Sequence, residues 1–485
     1  MTSPVKTVTT SSFPAASATA TATATSTVAT PHHASFSTDD VISTFSEDQR
    51  RAFDMYREGK NVFITGPGGY GKSYLIKAIV HHAQREHKKV SVCAMTGCAA
   101  VLLDCEATTL HSWARIGLAK GAPEDIITFL IKNHHCAANW RQTDILIVDE
   151  VSMMSMQLFD LFNRVASGIR RNKRPFGGIQ VIFCGDFFQL PPVGDPDTPD
   201  SDRFCFESDD WDTTFPRVQQ IELRTPFRHR DETFARILYE LRIGKIRRSS
   251  YDIIMERVGL PYDTSKHGGI RPVAIVPLRN EAQMINDENM TILEGEESLF
   301  RATFEMLHVP ATNYTGVSRK RTHLSHDDCE KEESRMLKSL MVDKTLRLKV
   351  GAQVMCVKNL PDYGLVNGST GIVTGFMGGY PRVRYHSGID MVMIPAEWPN
   401  DKYPHYGLKQ IPLILAWAIT IHKSQGATLD MAEINAGSSI FACGQTYVAM
   451  SRVRTLDGLY LTSFAPERVK INKKVLEFYR RISDS

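Results

Sequence analysis

The chain has no apolar run approaching membrane-spanning length, so no transmembrane helix and no membrane partner are expected. Its nine cysteines are scattered from Cys93 to Cys443 without a single Cys-x-x-Cys pair. That pattern argues against a disulfide framework and a zinc site, and fits reduced thiols in an intracellular protein. Excess charge is also missing: 57 Lys and Arg against 54 Asp and Glu leave a formal charge of +3. A nucleic-acid partner is neither demanded nor excluded, since a local basic groove would suffice. The first 37 residues lack acidic side chains altogether, and Lys6 is their only basic residue other than histidine. This Ser/Thr/Ala-rich leader, with Ala and Thr alternating from Ala18 to Thr25, cannot bury a core and is expected to be disordered. It is acid-poor and Ser-rich like a mitochondrial transit peptide, yet it has no arginine and no long apolar segment of a secretory signal.

What is present is ordinary globular material of more than one domain. At 485 residues, 42% hydrophobic and 23% charged, two or three domains are expected. Within it, Asn61 to Ser73 reads N-V-F-I-T-G-P-G-G-Y-G-K-S. An apolar strand, Val62 to Thr65, runs into Gly66, Pro67, Gly68, Gly69, Tyr70, Gly71, Lys72 and Ser73, and apolar residues at helical spacing follow. This is a G-x-x-x-x-G-K-[ST] phosphate-binding loop between a strand and a helix. Its glycines let backbone N–H groups turn inward, the helix N-terminus favours anions, Lys72 supplies a mobile charge, and Ser73 is a Mg²⁺ ligand. A glycine-rich turn without a ligand is the weaker reading in this context.

Strand-like runs at Val90 to Met95, Ile145 to Val148, Ile179 to Cys184 and Val218 to Leu223 alternate with helical patterns such as Met156 to Ile169. Alternation of this kind predicts a parallel sheet covered on both faces. A second alternating region starts near Glu232, with helices at Glu232 to Ile243 and Arg279 to Leu293 and a strand at Pro272 to Val276. It resumes at Leu413 to Ala416, Met431 to Asn435, Gly444 to Met450 and Leu459 to Thr462, and closes on a helix near Val469 to Tyr479. Between these pieces, short strands at Gln353 to Val357, Gly371 to Phe376, Arg382 to Tyr385 and Met391 to Ile394 are separated by Asn-Gly and Gly-Gly turns. They predict a small antiparallel barrel inserted near 346–396. The charged stretch from Glu296 to Lys344, with Arg319-Lys320-Arg321, is expected as a surface excursion. The expected organisation is a leader at 1–37, a first α/β domain at 38–216 with a small wedge insertion near 110–140, and a second at 217–485.

Leu146 to Val148 is an apolar strand that ends in Asp149 and Glu150. Downstream of a phosphate loop, Asp149 is placed to hold Mg²⁺ and Glu150 to polarise the attacking water. Gln189, on the Pro-terminated loop Gly185 to Pro192, is a candidate γ-phosphate sensor, whereas Phe187 and Phe188 are read as packing residues. Arg228 and Arg452 follow segments of the second unit and are candidates to reach across a cleft. Singly, each would be read as a surface ion pair.

With these residues in view, the chain resembles the PIF (petite integration frequency) helicases, superfamily-one relatives of RecD. The likeness runs through Phe45 to Gln49, the phosphate loop, Ala94 to Ala100, Thr109 to Ser112, Asp149-Glu150, Pro175 to Gln180 and Gly185 to Pro192. It continues through Phe227-Arg228, Lys349 to Met355, Val366 to Ser369, Ile421 to Gly426 and Gln445 to Arg452. The resemblance implies two RecA-like phosphate-loop domains in an α/β fold, with a small β-barrel insertion in the second. It implies an ATP-dependent 5′-to-3′ DNA helicase using Mg²⁺, acting on single-stranded and forked DNA in nucleus or mitochondrion, and monomeric in solution. By the same resemblance Gln49 reads adenine and Gly426 approaches the γ-phosphate from the second domain. Thr96, Gly97, His111, His422, Lys423 and Ser424 line the strand track. A scaffold that no longer unwinds and an RNA-directed motor are the alternative readings. Gly69-Tyr70 stands where the family has Ala-Thr, His229 where it has Gln, and Met450 where it has Leu.

Overall fold

The computed structural model describes residues 42–483, apart from 104, 106, 117–121, 134–135, 195–199, 228–230, 308–323, 401–402 and 404. The leader, Arg228, His229 and the basic run Arg319 to Arg321 therefore lie outside the described residues.

Six strands build the first sheet: β1 (Val62–Thr65), β2 (Val90–Ala94), β3 (Thr108–Thr109), β4 (Ile145–Asp149), β5 (Gln180–Cys184) and β6 (Gln220–Glu222). All run parallel, in the order β3-β2-β4-β5-β1-β6. β1 and β4 are buried at every position, as Val- and Ile-rich strands covered on both faces must be. Because β6 pairs with β1, the first sheet runs past the boundary expected at 216. In the segment expected as a wedge, Trp113 packs against Trp140, with ring centroids 4.6 Å apart, while Phe129 and Ile131 stay exposed.

A second parallel sheet holds, in spatial order, Ala418–Thr420, Val273–Val276, Ala432–Ala436 and Leu459–Phe464. Between its strands comes an antiparallel sheet in the order Asp390–Val392, Tyr380–Tyr385, Thr370–Met377, Gln353–Cys356 and Leu413–Leu415. The apolar run at Leu413 was expected in the parallel sheet; it is the edge of this antiparallel one, and Ala418–Thr420 takes the parallel position. Three apolar residues, two of them fully covered, read alike in either setting, so the run carried no sign of its partner. The stretch expected as a surface excursion also supplies structure. Ser298–Arg301 pairs with Thr345–Leu348, and Thr303–Met306 joins Tyr406–Gln410.

The helix Lys473–Ser483 begins four residues later than its apolar pattern suggested, where the Asn472 side chain accepts the Lys474 N–H at 2.9 Å. It does not stay with the second sheet. Its buried Phe478 stacks on Phe206 at 4.4 Å and meets Phe187 edge-on at 5.3 Å and Phe63 at 6.0 Å. The core beneath β1 is thus closed by side chains from both ends of the described chain.

Candidate nucleotide site between the two sheets

The phosphate loop leaves the carboxyl end of β1, and the carboxyl ends of β5 and β4 lie beside it in the sheet. Ligands of open parallel sheets gather at this edge. Gly71 takes φ +83° and starts the helix Lys72–Arg85; a Cβ there would sit 2.5 Å from Gln49 Nε2 and 3.1 Å from the Phe227 ring. Glycine is required at that position. Lys72 Nζ donates to the carbonyls of Gly66 (2.6 Å) and Pro67 (2.9 Å), so the ammonium lies over its own loop. Ser73 follows in the first helical turn.

Gln49 is fully buried. Its Oε1 accepts from the Ser46 N–H at 3.0 Å, closing a capping box, and its Nε2 donates to the Gly71 carbonyl at 3.3 Å. The residue expected to face adenine is therefore anchored on the loop's last peptide. Tyr70 is half-buried, and its phenol is pushed up by burial, with Arg242, Tyr239 and Glu222 as its charged and polar neighbours. The bulky ring packs against the apolar cluster that includes Ile64, Ile221 and Leu223.

Asp149 ends β4 and is buried, its Oδ1 accepting the Glu150 N–H at 2.9 Å. Burial, and then the adjacent Glu150 charge, push the Asp149 carboxyl up to about 7. Glu150 sits at φ +56°, a left-handed conformation that costs a non-glycine residue of order 1 kcal/mol or more and clusters at functional sites. Its Oε2 accepts from Gln425 Nε2 of the second unit at 3.1 Å. Gln189 is buried, and its Oε1 has no hydrogen-bond partner. A buried amide oxygen with no partner in the protein is left open to water or a ligand.

The second unit closes on this edge through the helix Gln445–Met450 and the turn after it. Tyr447 Oη accepts the Gly68 N–H at 3.0 Å and donates to Asp186 Oδ2 at 3.2 Å. Arg452 is 3% exposed, and its Nε donates to the Val448 carbonyl at 3.0 Å. Its Nη2 lies 3.7 Å from where a Cβ on Gly68 would stand, so the guanidinium abuts the phosphate loop. Gly444, at φ +77°, packs on the Phe188 and Gln189 carbonyls, and a Cβ would fall 2.5 Å from the latter. Gly426 is also left-handed, at φ +82°.

Under the loop lies a buried polar cluster that the sequence did not reveal. Arg242 Nε donates to both oxygens of Asp186 (3.1 and 2.9 Å), and its Nη1 donates to Glu222 (3.0 Å). Its guanidinium stands 4.6 Å from the Phe188 ring centre and 4.8 Å from that of Tyr479. Tyr479 Oη joins Asp186 Oδ1 at 3.1 Å, Thr65 Oγ1 at 2.5 Å and the Phe187 N–H at 3.1 Å. Asp186 thus ties the Gln189 loop to the second unit's Tyr447, and Tyr479 ties it to the base of the phosphate loop. The expected packing roles of Phe187 and Phe188 fit this picture, since both are buried. Replacing Tyr479 by Phe should lower unfolding free energy by about 1–3 kcal/mol, because the Phe187 N–H and Thr65 hydroxyl lose a buried partner. Urea titration of the variant beside the parent checks this; a shift near zero would show that the phenol contributes nothing.

The residues assigned to a strand track fall in two groups. Thr96, whose Oγ1 accepts the Ala99 N–H at 3.2 Å, and Gly97 lie just beyond β2; half-buried His111 lies just beyond β3. Burial lowers the His111 pKa. His422 is exposed and Lys423 half-buried on the one-turn helix Ile421–Ser424 of the second unit. Ser424 is fully buried, its hydroxyl donating to the Ile421 carbonyl at 2.8 Å.

A phosphate loop on one parallel sheet, met by buried side chains from a second, defines a P-loop protein with two RecA-like units. Residues 44–251 match the family model of the PIF1-like helicase, and residues 333–376 that of the DNA helicase Pif1 2B domain. The chain belongs to the PIF1-like helicase family. It is 35% identical over 450 residues to the ATP-dependent DNA helicase PIF1 of Danio rerio, covering 91% of this chain and 64% of that protein. With the ATP-dependent DNA helicase RRM3 of Saccharomyces cerevisiae it shares 30% identity over 530 residues, covering 93% of this chain and 69% of that one. Against the PIF1 proteins of zebrafish, mouse and human the chain spans a little under two thirds of their length. The crystal structure of Pif1 helicase from Candida albicans superposes with a TM-score of 0.70 at 32% identity, over 90% of this chain and 99% of that one. Bacteroides sp. Pif1 in complex with ADP-AlF4 gives 0.67 at 26%, over 90% and 97%.

Proposed function

We propose that this chain is an ATP-driven DNA helicase that moves 5′ to 3′ along a single strand and unwinds duplex or forked DNA in genome maintenance. The observation that carries the reading is the second unit's contact with the phosphate loop and with the carboxylate after β4: Gly68 is held by Tyr447, Arg452 abuts it, and Gln425 holds Glu150. A site assembled from two bodies changes when they move, which is what a stepping motor requires. Relatives named ATP-dependent DNA helicases and Bacteroides Pif1 structures bound to single-stranded DNA support the same reading.

In it, Gly66 to Ser73 wraps the β- and γ-phosphates and Lys72 leaves its loop carbonyls to neutralise them. Gln49 stands at the base, Gln189 orients the attacking water, which donates to its unpaired amide oxygen, and Arg452 with Arg228 stabilises the charge that develops on the γ-phosphate. Glu150 takes the proton of the attacking water. Asp149 and Ser73 would hold Mg²⁺. One carboxylate, one hydroxyl and substrate phosphates are a normal Mg²⁺ donor set, and a cation there would relieve the buried Asp149–Glu150 repulsion. Bound there, the ion would neutralise charge on the transferring phosphoryl group. Thr96, Gly97, His111, His422, Lys423 and the Ser424 turn form the track, with N–H groups and one ammonium toward phosphates. The two domains meet near residue 222, with the antiparallel insertion in the second. The protein acts where DNA is kept, in nucleus or mitochondrion, as a solution monomer. One solved relative describes unwinding at forked dsDNA by two coordinating Pif1 helicases, so mass measurement with and without a fork addresses that last point.

The deciding experiment is ATP hydrolysis with and without oligo-dT, then unwinding of duplexes tailed on either end. Stimulation by the strand and unwinding from 5′ tails alone are expected. Stimulation by RNA only, or strand binding without any turnover, would overturn the reading.

A further inference from the structure

Gln425 directly follows the one-turn helix Ile421–Ser424, which starts at Thr420, whose hydroxyl oxygen accepts the Lys423 N–H at 3.1 Å. The Gln425 N–H closes that turn on the His422 carbonyl at 3.3 Å, and Gly426 follows in a left-handed conformation. Its side chain is buried and reaches into the first unit, where Nε2 donates to Glu150 Oε2. Within four residues the chain thus carries the His422 imidazole, the Lys423 ammonium and, past buried Ser424, the Gln425 clasp on the other unit's carboxylate. At 3.1 Å the clasp is a hydrogen bond to a charged acceptor, and a displacement of the turn by about 1 Å would break it. The Glu150 main chain is held by its left-handed conformation and by the N–H bond to Asp149, so only its side-chain torsions can follow.

We propose that Gln425 is a restraint on Glu150: with no strand against Ile421–Ser424 it holds the carboxylate toward the second unit, and a strand that shifts this turn releases it. Gln425 is then a positioning residue that makes hydrolysis conditional on nucleic acid. This rests on Glu150 being the base. It differs from a general cleft-closing contact in sign, since losing the restraint raises turnover in the absence of DNA.

The test is ATP turnover of Gln425→Ala and Gln425→Glu, with and without oligo-dT, together with hydrogen exchange of the protein alone. Neither side chain donates a hydrogen bond at neutral pH, so both variants should raise DNA-free kcat by about tenfold and shrink the stimulation by the strand accordingly, with KM for ATP held within about twofold. Exchange over residues 149–154 should rise in the variants without DNA. Equal loss of DNA-free and DNA-bound turnover, or unchanged values of both, would overturn the proposal. So would unaltered exchange over 149–154. Parent protein inactive in every condition would refute the motor reading instead, and the exchange result would still decide whether the clasp restrains Glu150.

Discussion

Lys72→Ala should abolish ATP hydrolysis and unwinding, lowering kcat/KM on the order of 10³-fold or more, while leaving the fold intact. The reason lies in where the ammonium stands. It is the cation on the loop itself, and its present partners are the loop's own Gly66 and Pro67 carbonyls. Gly66 and Pro67 are buried, so their carbonyls lose a donor, yet unfolding free energy should fall by only about 1 kcal/mol. A nucleotide, by contrast, loses the one mobile positive charge that follows the β- and γ-phosphates. Single-turnover hydrolysis and thermal unfolding on one preparation separate the two effects. Residual turnover within tenfold of the parent would remove Lys72 from the machinery, and with it the central premise of the site.

Arg242→Ala is expected to have the opposite profile. Asp186 is fully buried and Arg242 is 1% exposed, so removing the guanidinium leaves a carboxylate without water or counter-charge. Breaking one side of such a pair costs about 3–5 kcal/mol. Arg242→Met restores packing between Phe188 and Tyr479 and should recover part of the loss without recovering the pair. The double variant Asp186→Asn with Arg242→Met should be less unstable than Arg242→Ala, because no buried charge remains. Since unfolding of a chain with two units need not be two-state, the fluorescence of Trp113, Trp140 and Trp211 in the first unit should be followed with Trp398 and Trp417 of the second replaced by Phe. A loss below about 1 kcal/mol for Arg242→Ala would mean that the cluster is hydrated and that Asp186 is not anchored by it.

These expectations divide along the line of what a sequence exposes. Lys72, Asp149 and Glu150 belong to local patterns, a glycine spacing and a strand ending in carboxylates, so their chemistry is written within a few residues of each other. The parallel strands β1, β2, β4 and β5 were legible for the same reason, each being a short apolar run between helical patterns. Gln425, Tyr447 and Tyr479 act on residues more than two hundred positions away, and no spacing links them to the loop. Each lies in a segment that reads simply as buried helix or turn. Arg242 carried one faint sign, a charge next to the apolar face Phe234, Ile237, Leu238 and Leu241 of its own helix. The misplaced run at Leu413 shows the same limit in the sheet, where pairing is a tertiary choice among equally apolar strands.

The return of the helix Lys473–Ser483 to the first unit also orders events during synthesis. When residues up to about Glu222 have emerged from the ribosome, the first sheet has all six strands, but Thr65, Asp186 and the Phe63–Phe187–Phe206 surface still lack Tyr479 and Phe478. A fragment ending there would carry every residue of the phosphate loop and yet present an uncovered aromatic floor. The loop's foundation is laid by the segment that emerges some two hundred and fifty residues later.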